Sequence, residues 1–145
     1  MDFKRLLRLR EEKELTQAEI AKIFKVSQAN YSRWEREKEF IPLRKINLIC
    51  IYFNVSMDYL IGLTNTNIKY MKTDLNPKKI GQNIKTIRKN NNLSQKDLAF
   101  LLNTTQSTIS AYESGKTLIL TAFALQIVKE FNVSLDWLCN RKKYK

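Results

Sequence analysis

Gln28, Asn30, Ser32 and Arg33 stand within one short stretch of this 145-residue chain. A side-chain amide offers a donor and an acceptor together, and a guanidinium offers a flat fork of donors, so the group suits recognition by hydrogen bonding. A parallel stretch carries Gln106, Ser107, Thr108 and Ser110, which are shorter and uncharged. Bond-making chemistry lacks its usual parts. There is no histidine, only two isolated cysteines and only three glycines, so metal sites, nucleophile and base pairs and phosphate loops are without their residues. The expectation is no enzyme, no metal and no cofactor.

Both stretches sit inside a longer pattern, Thr16 to Lys38 (TQAEIAKIFKVSQANYSRWEREK) and Ser94 to Lys116 (SQKDLAFLLNTTQSTISAYESGK). Thr16, Ser27, Ser94 and Thr105 each precede a run with apolar residues at helical spacing, the signature of a hydroxyl N-cap. Ile20, Ala21 and Phe24 share one helical face, as do Tyr31 and Trp34, so each segment has a side to bury and a side to present. Gln17, Ala21, Val26-Ser27-Gln28 and Trp34-Glu35, with Gln95, Ala99, Thr104-Thr105-Gln106, Ser110, Tyr112-Glu113 and Gly115-Lys116, form a ladder of positions in register, present twice. This pattern resembles the helix-turn-helix of the phage repressor and Cro family, also called the XRE family.

The whole chain follows the same duplication. A shift of 78 residues, Thr16 to Ser94, aligns Phe3–Gly62 with Gly81–Asn140 without a gap, and about a quarter of the aligned pairs are identical, the mark of a repeated unit. Each copy reads as five helices with no strand signal. The expected architecture is all-α: two tandem five-helix domains of the lambda-repressor kind, 1–63 and 76–140, with a polar linker over 64–75 and a basic tail over 141–145 that is frayed and available to phosphate. Asp2 is expected to cap the first helix, Asn76-Pro77 to restart the chain as N-cap and N1, and Phe40 and Ile41 to fold under onto the core. Cys50 and Cys139 align with apolar residues and read as buried free thiols.

The net charge of +12 favours an acidic partner such as nucleic acid. No run of some 18 apolar residues occurs and Met1-Asp2-Phe3-Lys4 lacks a signal-peptide pattern, so a cytoplasmic, nucleoid-associated protein without membrane contact is expected.

The resemblance implies roles for individual residues. Gln28, Ala29, Asn30, Ser32 and Arg33 would face the major groove in the first domain, and Gln106, Ser107, Thr108, Ser110 and Ala111 in the second. Gln28 and Asn30 suit adenine, Arg33 guanine and Ala29 a thymine methyl. Gln17 and Gln95 would anchor phosphate, with Lys38, Lys116 and Arg44 adding backbone contacts. Arg10 with Glu35, and Arg88 with Glu113, would form partly buried structural ion pairs.

The copies also differ. The family's glycines after the second motif helix and inside the motif turn are replaced by Glu37 and Lys25 in the first copy, and the turn glycine by Asn103 in the second. The second copy replaces Arg33, Arg44 and Lys45 by Ala111, Ala122 and Phe123, losing positive charge on or near the expected DNA face. Leu120 and Phe123 are surplus apolar residues, either a surface for the other domain or a second chain, or simply locally buried.

The implied function is sequence-specific binding of double-stranded DNA and regulation of transcription, by repression. Two arrangements stay open: a covalent pseudo-dimer on half-sites about one helical turn, roughly 34 Å, apart, or a first domain that reads while the second dimerises. The dozen linker residues, extended, would reach about 40 Å. The alternative class is a protein-binding adaptor, antitoxin-like or anti-repressor, whose motifs no longer read bases.

Overall fold

Hydroxyl and amide caps cut the chain into short helices. The structure, a computed structural model, describes residues 3–144. Its first five helices are α1 (Lys4–Glu12), α2 (Gln17–Ile23), α3 (Gln28–Glu35), α4 (Leu43–Phe53) and α5 (Met57–Leu60). The next five are α6 (Pro77–Asn90), α7 (Gln95–Leu101), α8 (Gln106–Ser114), α9 (Thr121–Phe131) and α10 (Leu135–Leu138). They form two compact units, Met1–Lys72 with Lys143–Lys145 and Thr73–Lys142. Among the described residues the extended chain pairs only as an isolated bridge between Tyr70 and Lys143. The cap expected at Asp2 lies outside the described residues, as does Lys145 at the end of the tail. Phe3 occupies the N-cap position of α1, without a side-chain cap bond.

Within each unit the core is drawn from the buried stripe of every helix. Phe3, Leu6, Ile20, Tyr31, Ile41, Ile46, Ile49, Met57 and Leu60 are fully buried in the first unit, and Ile84, Leu98, Ile109, Ala124, Leu135 and Leu138 in the second. Cys50 and Cys139 are buried free thiols. Phe40 departs from expectation: it is 53% exposed while Ile41 is buried. Successive residues of a non-helical segment point to opposite sides, so the core slot taken by Ile41 turns Phe40 outward.

One ion pair per unit ties the first helix to the third. Arg10 Nε lies 2.9 Å from Glu35 Oε2, and Arg88 Nε 2.6 Å from Glu113 Oε2, with both carboxylates almost wholly buried. Each arginine also donates to the loop before the next helix, Arg10 to the Leu15 carbonyl at 2.8 Å and Arg88 to the Leu93 carbonyl at 2.9 Å. Hydrogen bonding to its glutamate raises each guanidinium above its ordinary value.

Left-handed backbone falls at the same register in both repeats: Glu14, Lys25, Glu37, Asn54 and Gly62 in the first, Asn92, Asn103, Gly115, Asn132 and Asn140 in the second. Asparagine and glycine tolerate this region, whereas Glu and Lys carry a penalty of about 1 kcal/mol each. The first unit therefore holds three strained positions where the second has none of that kind. Glu37, at φ 57°, has a compensating role: its Oε1 accepts from the Phe3 amide at 2.7 Å, so it caps α1. Its counterpart Gly115 has a different reason to stay bare, because a Cβ there would lie 2.6 Å from Lys78 Cα. At Gly81 a Cβ would meet the Tyr112 carbonyl at 2.3 Å. Phe3 stands in the aligned position of the first unit and is fully buried.

Two sequence expectations need correction at the ends of the units. Arg141 is no frayed tail residue: its side chain is 2% exposed and pairs at 2.7 Å with the fully buried Asp136, a carboxylate that needs a countercharge in the core. Thr64 to Lys69 is non-helical but not free. Arg5 donates to the Thr64 carbonyl and to Asn65, Asn67 bridges the Ser56 amide and the Asn54 carbonyl, and Lys69 reaches the same carbonyl. A dozen freely extending residues are therefore not what the linker offers.

Two substitutions test these interactions by urea denaturation followed by circular dichroism. Glu113→Ala leaves Arg88 buried without its partner and is expected to cost about 3–5 kcal/mol. Lys25→Gly is expected to gain about 1 kcal/mol, whereas Glu37→Gly gains less because the Phe3 cap is lost.

Candidate nucleic-acid interface

The helices that must present the recognition residues are short, so their ends decide where they point. Thr16 and Ser94 accept from the third helical amide of α2 and α7, and Glu19 and Asp97 return the bond to the cap amides, a reciprocal capping box in each unit. The T-x-x-E and S-x-x-D spacings carry this signal in the sequence. Ser27 accepts from Asn30 N at 3.1 Å and Thr105 from Thr108 N at 3.2 Å, fixing the starts of α3 and α8. The bonds from the cap backbones hold the Glu19 and Asp97 carboxyls below their ordinary values.

On α3, Gln28 and Ala29 are exposed and Asn30, Ser32 and Arg33 are half-buried, while Tyr31 and Trp34 turn into the core. Their rings meet edge to face at 5.9 Å, the favoured aromatic geometry. Burial raises the Tyr31 hydroxyl well above its ordinary value. On α8, Gln106, Ser107 and Ser110 are exposed, Thr108 and Ala111 half-buried, and Ile109 and Tyr112 buried. Both helices thus bring their five candidate readers to the side away from the core.

The candidate phosphate residues are less uniform. Lys38, Lys116 and Arg44 are exposed, and Gln17 is half-buried at the first turn of α2. Gln95, at the same place on α7, turns its amide toward the ion pair, with Nε2 3.3 Å from Glu113 Oε1. Lys45 is also drawn inward: its ammonium donates at 2.7 Å to the Phe24 carbonyl at the end of α2, where a cation complements the helix dipole. Its replacement by Phe123 therefore removes a helix cap rather than a charge on the outer face. Phe123 is half-buried with its ring 6.2 Å from Tyr112, while Leu120 is 61% exposed.

Arg33 makes two contacts, of which the i, i+3 spacing to Asn30 is legible in the sequence and the reach to Glu39 is not. Arg33 Nε lies 2.8 Å from Glu39 Oε1, and Arg33 Nη2 donates to Asn30 Oδ1. Glu39 sits beyond the helix, and no local spacing rule joins it to α3. Among the described residues no group of His, Cys, Asp and Glu is arranged to hold a metal ion, and no helix is long and apolar enough to cross a membrane.

Paired short helices, each with an N-cap hydroxyl and an outward polar face, define a tandem helix-turn-helix protein. The Helix-turn-helix family profile matches residues 6–60 and again 84–138, and the chain belongs to that family, of the XRE type. Over 65 residues it is 32% identical to the uncharacterized HTH-type transcriptional regulator YobD of Bacillus subtilis (strain 168), covering 45% of this chain and 58% of that relative. The chain therefore spans under two thirds of the length of that curated relative. Among solved structures it is similar to the restriction-modification controller protein C.AhdI from Aeromonas hydrophila, at 26% identity over 42% of this chain and 92% of that one, with a TM-score of 0.39.

The capping boxes give a pH dependence whose sign is fixed. Folding depresses the Glu19 and Asp97 carboxyls, so their contribution is present at neutral pH and lost as pH falls through the folded value. Thermal melts from pH 7 to pH 3 should show a shallower acid decline in Glu19→Gln with Asp97→Asn than in the parent chain; an unchanged slope would contradict the assignment.

Proposed function

We propose that this protein is a sequence-specific double-stranded DNA-binding regulator of transcription that represses by occupying a promoter. It reads the major groove with α3 and with α8. The observation that carries this reading is the split face of α3: Gln28, Ala29, Asn30, Ser32 and Arg33 outward, Tyr31 and Trp34 inward. A helix of that design laid in the groove offers amides and a guanidinium fork to base edges. Gln17, Lys38 and Arg44 supply phosphate contacts, and Gln95 does so in the second unit only after leaving Glu113. Family membership supports the reading, as does the regulator description carried by YobD. The protein acts at the nucleoid, without catalysis of its own.

A second reading, in which the second unit serves assembly, is favoured by one set of observations. The α8 set holds no cation, Phe100 is 89% exposed where the first repeat has Lys22, and Leu120 is 61% exposed where it has Pro42. In that arrangement Leu120 and Phe123 join the contact between copies, and a homodimer binds a palindrome. The covalent pseudo-dimer instead requires two unlike half-sites. If neither unit reads bases, the protein is an adaptor.

Selection of bound fragments from a random DNA library with the intact chain, Arg33→Ala and Gln106→Ala separates these cases. The proposed function expects an enriched motif that Arg33→Ala relaxes, with affinity falling steeply with salt. Relaxation of a different half by Gln106→Ala identifies the pseudo-dimer, and no effect of Gln106→Ala identifies assembly. No enrichment at all leaves the adaptor.

A further inference from the structure

Arg33 is not an isolated flexible cation. Its Nε lies 2.8 Å from Glu39 Oε1, an ion pair in which the Nε proton is not directed at the carboxylate, and its Nη2 donates to Asn30 Oδ1, so two acceptors flank one guanidinium. A guanidinium has no acceptor of its own, so the Asn30 atom turned toward it must be the oxygen. Two consequences follow for the outer edge of α3. Both protons on Nη1 and one on Nη2 stay available. Asn30 keeps both amide protons and the second lone pair of its oxygen.

The second repeat treats these three positions as a set. The residues aligned with Asn30, Arg33 and Glu39 are Thr108, Ala111 and Thr117, so arginine, its carboxylate partner and its amide partner are all absent together. Thr108 instead shares a 2.9 Å hydroxyl contact with Thr105. Glu39 is 49% exposed and Arg33 36% exposed at the side chain, so the pair contributes little to folding as a surface ion pair. A carboxylate beside a surface meant for phosphate is also unfavourable for binding. Its place beside Arg33 suits a role in orientation.

We propose that Glu39 is a positioning residue for base recognition. It holds Arg33 end-on, so that Nη1 and Nη2 meet the paired acceptors O6 and N7 of guanine, while Asn30 adds a donor beside them. The Arg33 fork presents donors only, which selects guanine and rejects adenine, whose exocyclic amine would face a donor. On this proposal Asn30 serves as a donor beside guanine in place of pairing with adenine. An arginine fixed before binding loses less freedom on docking, so the gain appears as discrimination. The inference rests on α3 reading DNA as proposed above.

The test measures binding of the full chain to its selected fragment and to the variant carrying A·T in place of the G·C pair that Arg33→Ala ceases to prefer. Glu39→Gln keeps the shape and removes the charge, and circular dichroism checks its fold. The expected result is at least a fivefold fall in the G over A preference in Glu39→Gln, even if overall affinity rises through loss of a negative charge. In an Arg33→Ala background the same change should leave the preference untouched. If Glu39→Gln alters affinity for both fragments equally and keeps the preference, Glu39 acts only as a charge and the inference falls while DNA reading stands. A parent chain with no preferred sequence overturns DNA reading and this inference together.

Discussion

The buried Arg–Glu pair is the interaction on which each unit depends. Arg10 and Arg88 sit on the first helix of their units, Glu35 and Glu113 near the end of the third, and the same guanidinium reaches the carbonyl of Leu15 or Leu93 in the loop before the second. One side chain thus fixes three segments at once. The helices it joins are only seven to nine residues long in α1, α2, α3, α7 and α8, too short to persist alone in water. A third helix of this length keeps its orientation because its base is bolted to the first helix by charge and to the core by Tyr31 and Trp34, or by Ile109 and Tyr112.

Duplication then lets the two units be read against each other, since position and fold are held while side chains vary. The left-handed sites recur in register, which shows that the backbone path is imposed by packing and not by the residue present. Where packing demands that path, Lys25 and Glu14 accept it under strain, and Glu37 turns the same constraint into a cap for α1. Where a neighbouring backbone approaches, as at Gly81 and Gly115, only glycine remains. The first unit carries the more polar and charged α3 face on the more strained backbone, while the second has a better-suited backbone and an uncharged α8 face. This matches the general pattern in which stability and function are drawn from the same residues.

The candidate interface is also an example of charges doing several things at once. Of the first unit's basic residues, Arg10 is structural, Lys45 caps a helix, Arg5 stacks 4.0 Å over the Tyr59 ring while fastening Thr64, and Arg33 is held between Glu39 and Asn30. A net charge of +12 therefore overstates the charge free to meet an acidic partner. Phe100 and Ala111 in the second unit extend the same lesson, since apolar residues stand there at positions that hold Lys22 and Arg33 in the first repeat.

Much of this was present in the sequence because it depends on local chemistry. Cap hydroxyls at Thr16, Ser27, Ser94 and Thr105, the Asn76-Pro77 start of α6, and the inward spacing of Tyr31 and Trp34 are set by residues within one helical turn of each other, and so is the fivefold helical order of each repeat. Tertiary structure alone decided the partners of long side chains, because an arginine or lysine reaches across several ångströms to whatever acceptor the fold brings near. Arg141 found buried Asp136 and ceased to be a tail; Lys45 found the Phe24 carbonyl; Gln95 found Glu113; Arg33 found Glu39. Phe40 and Ile41 are adjacent and both apolar, and only the shape of the core determined which was buried.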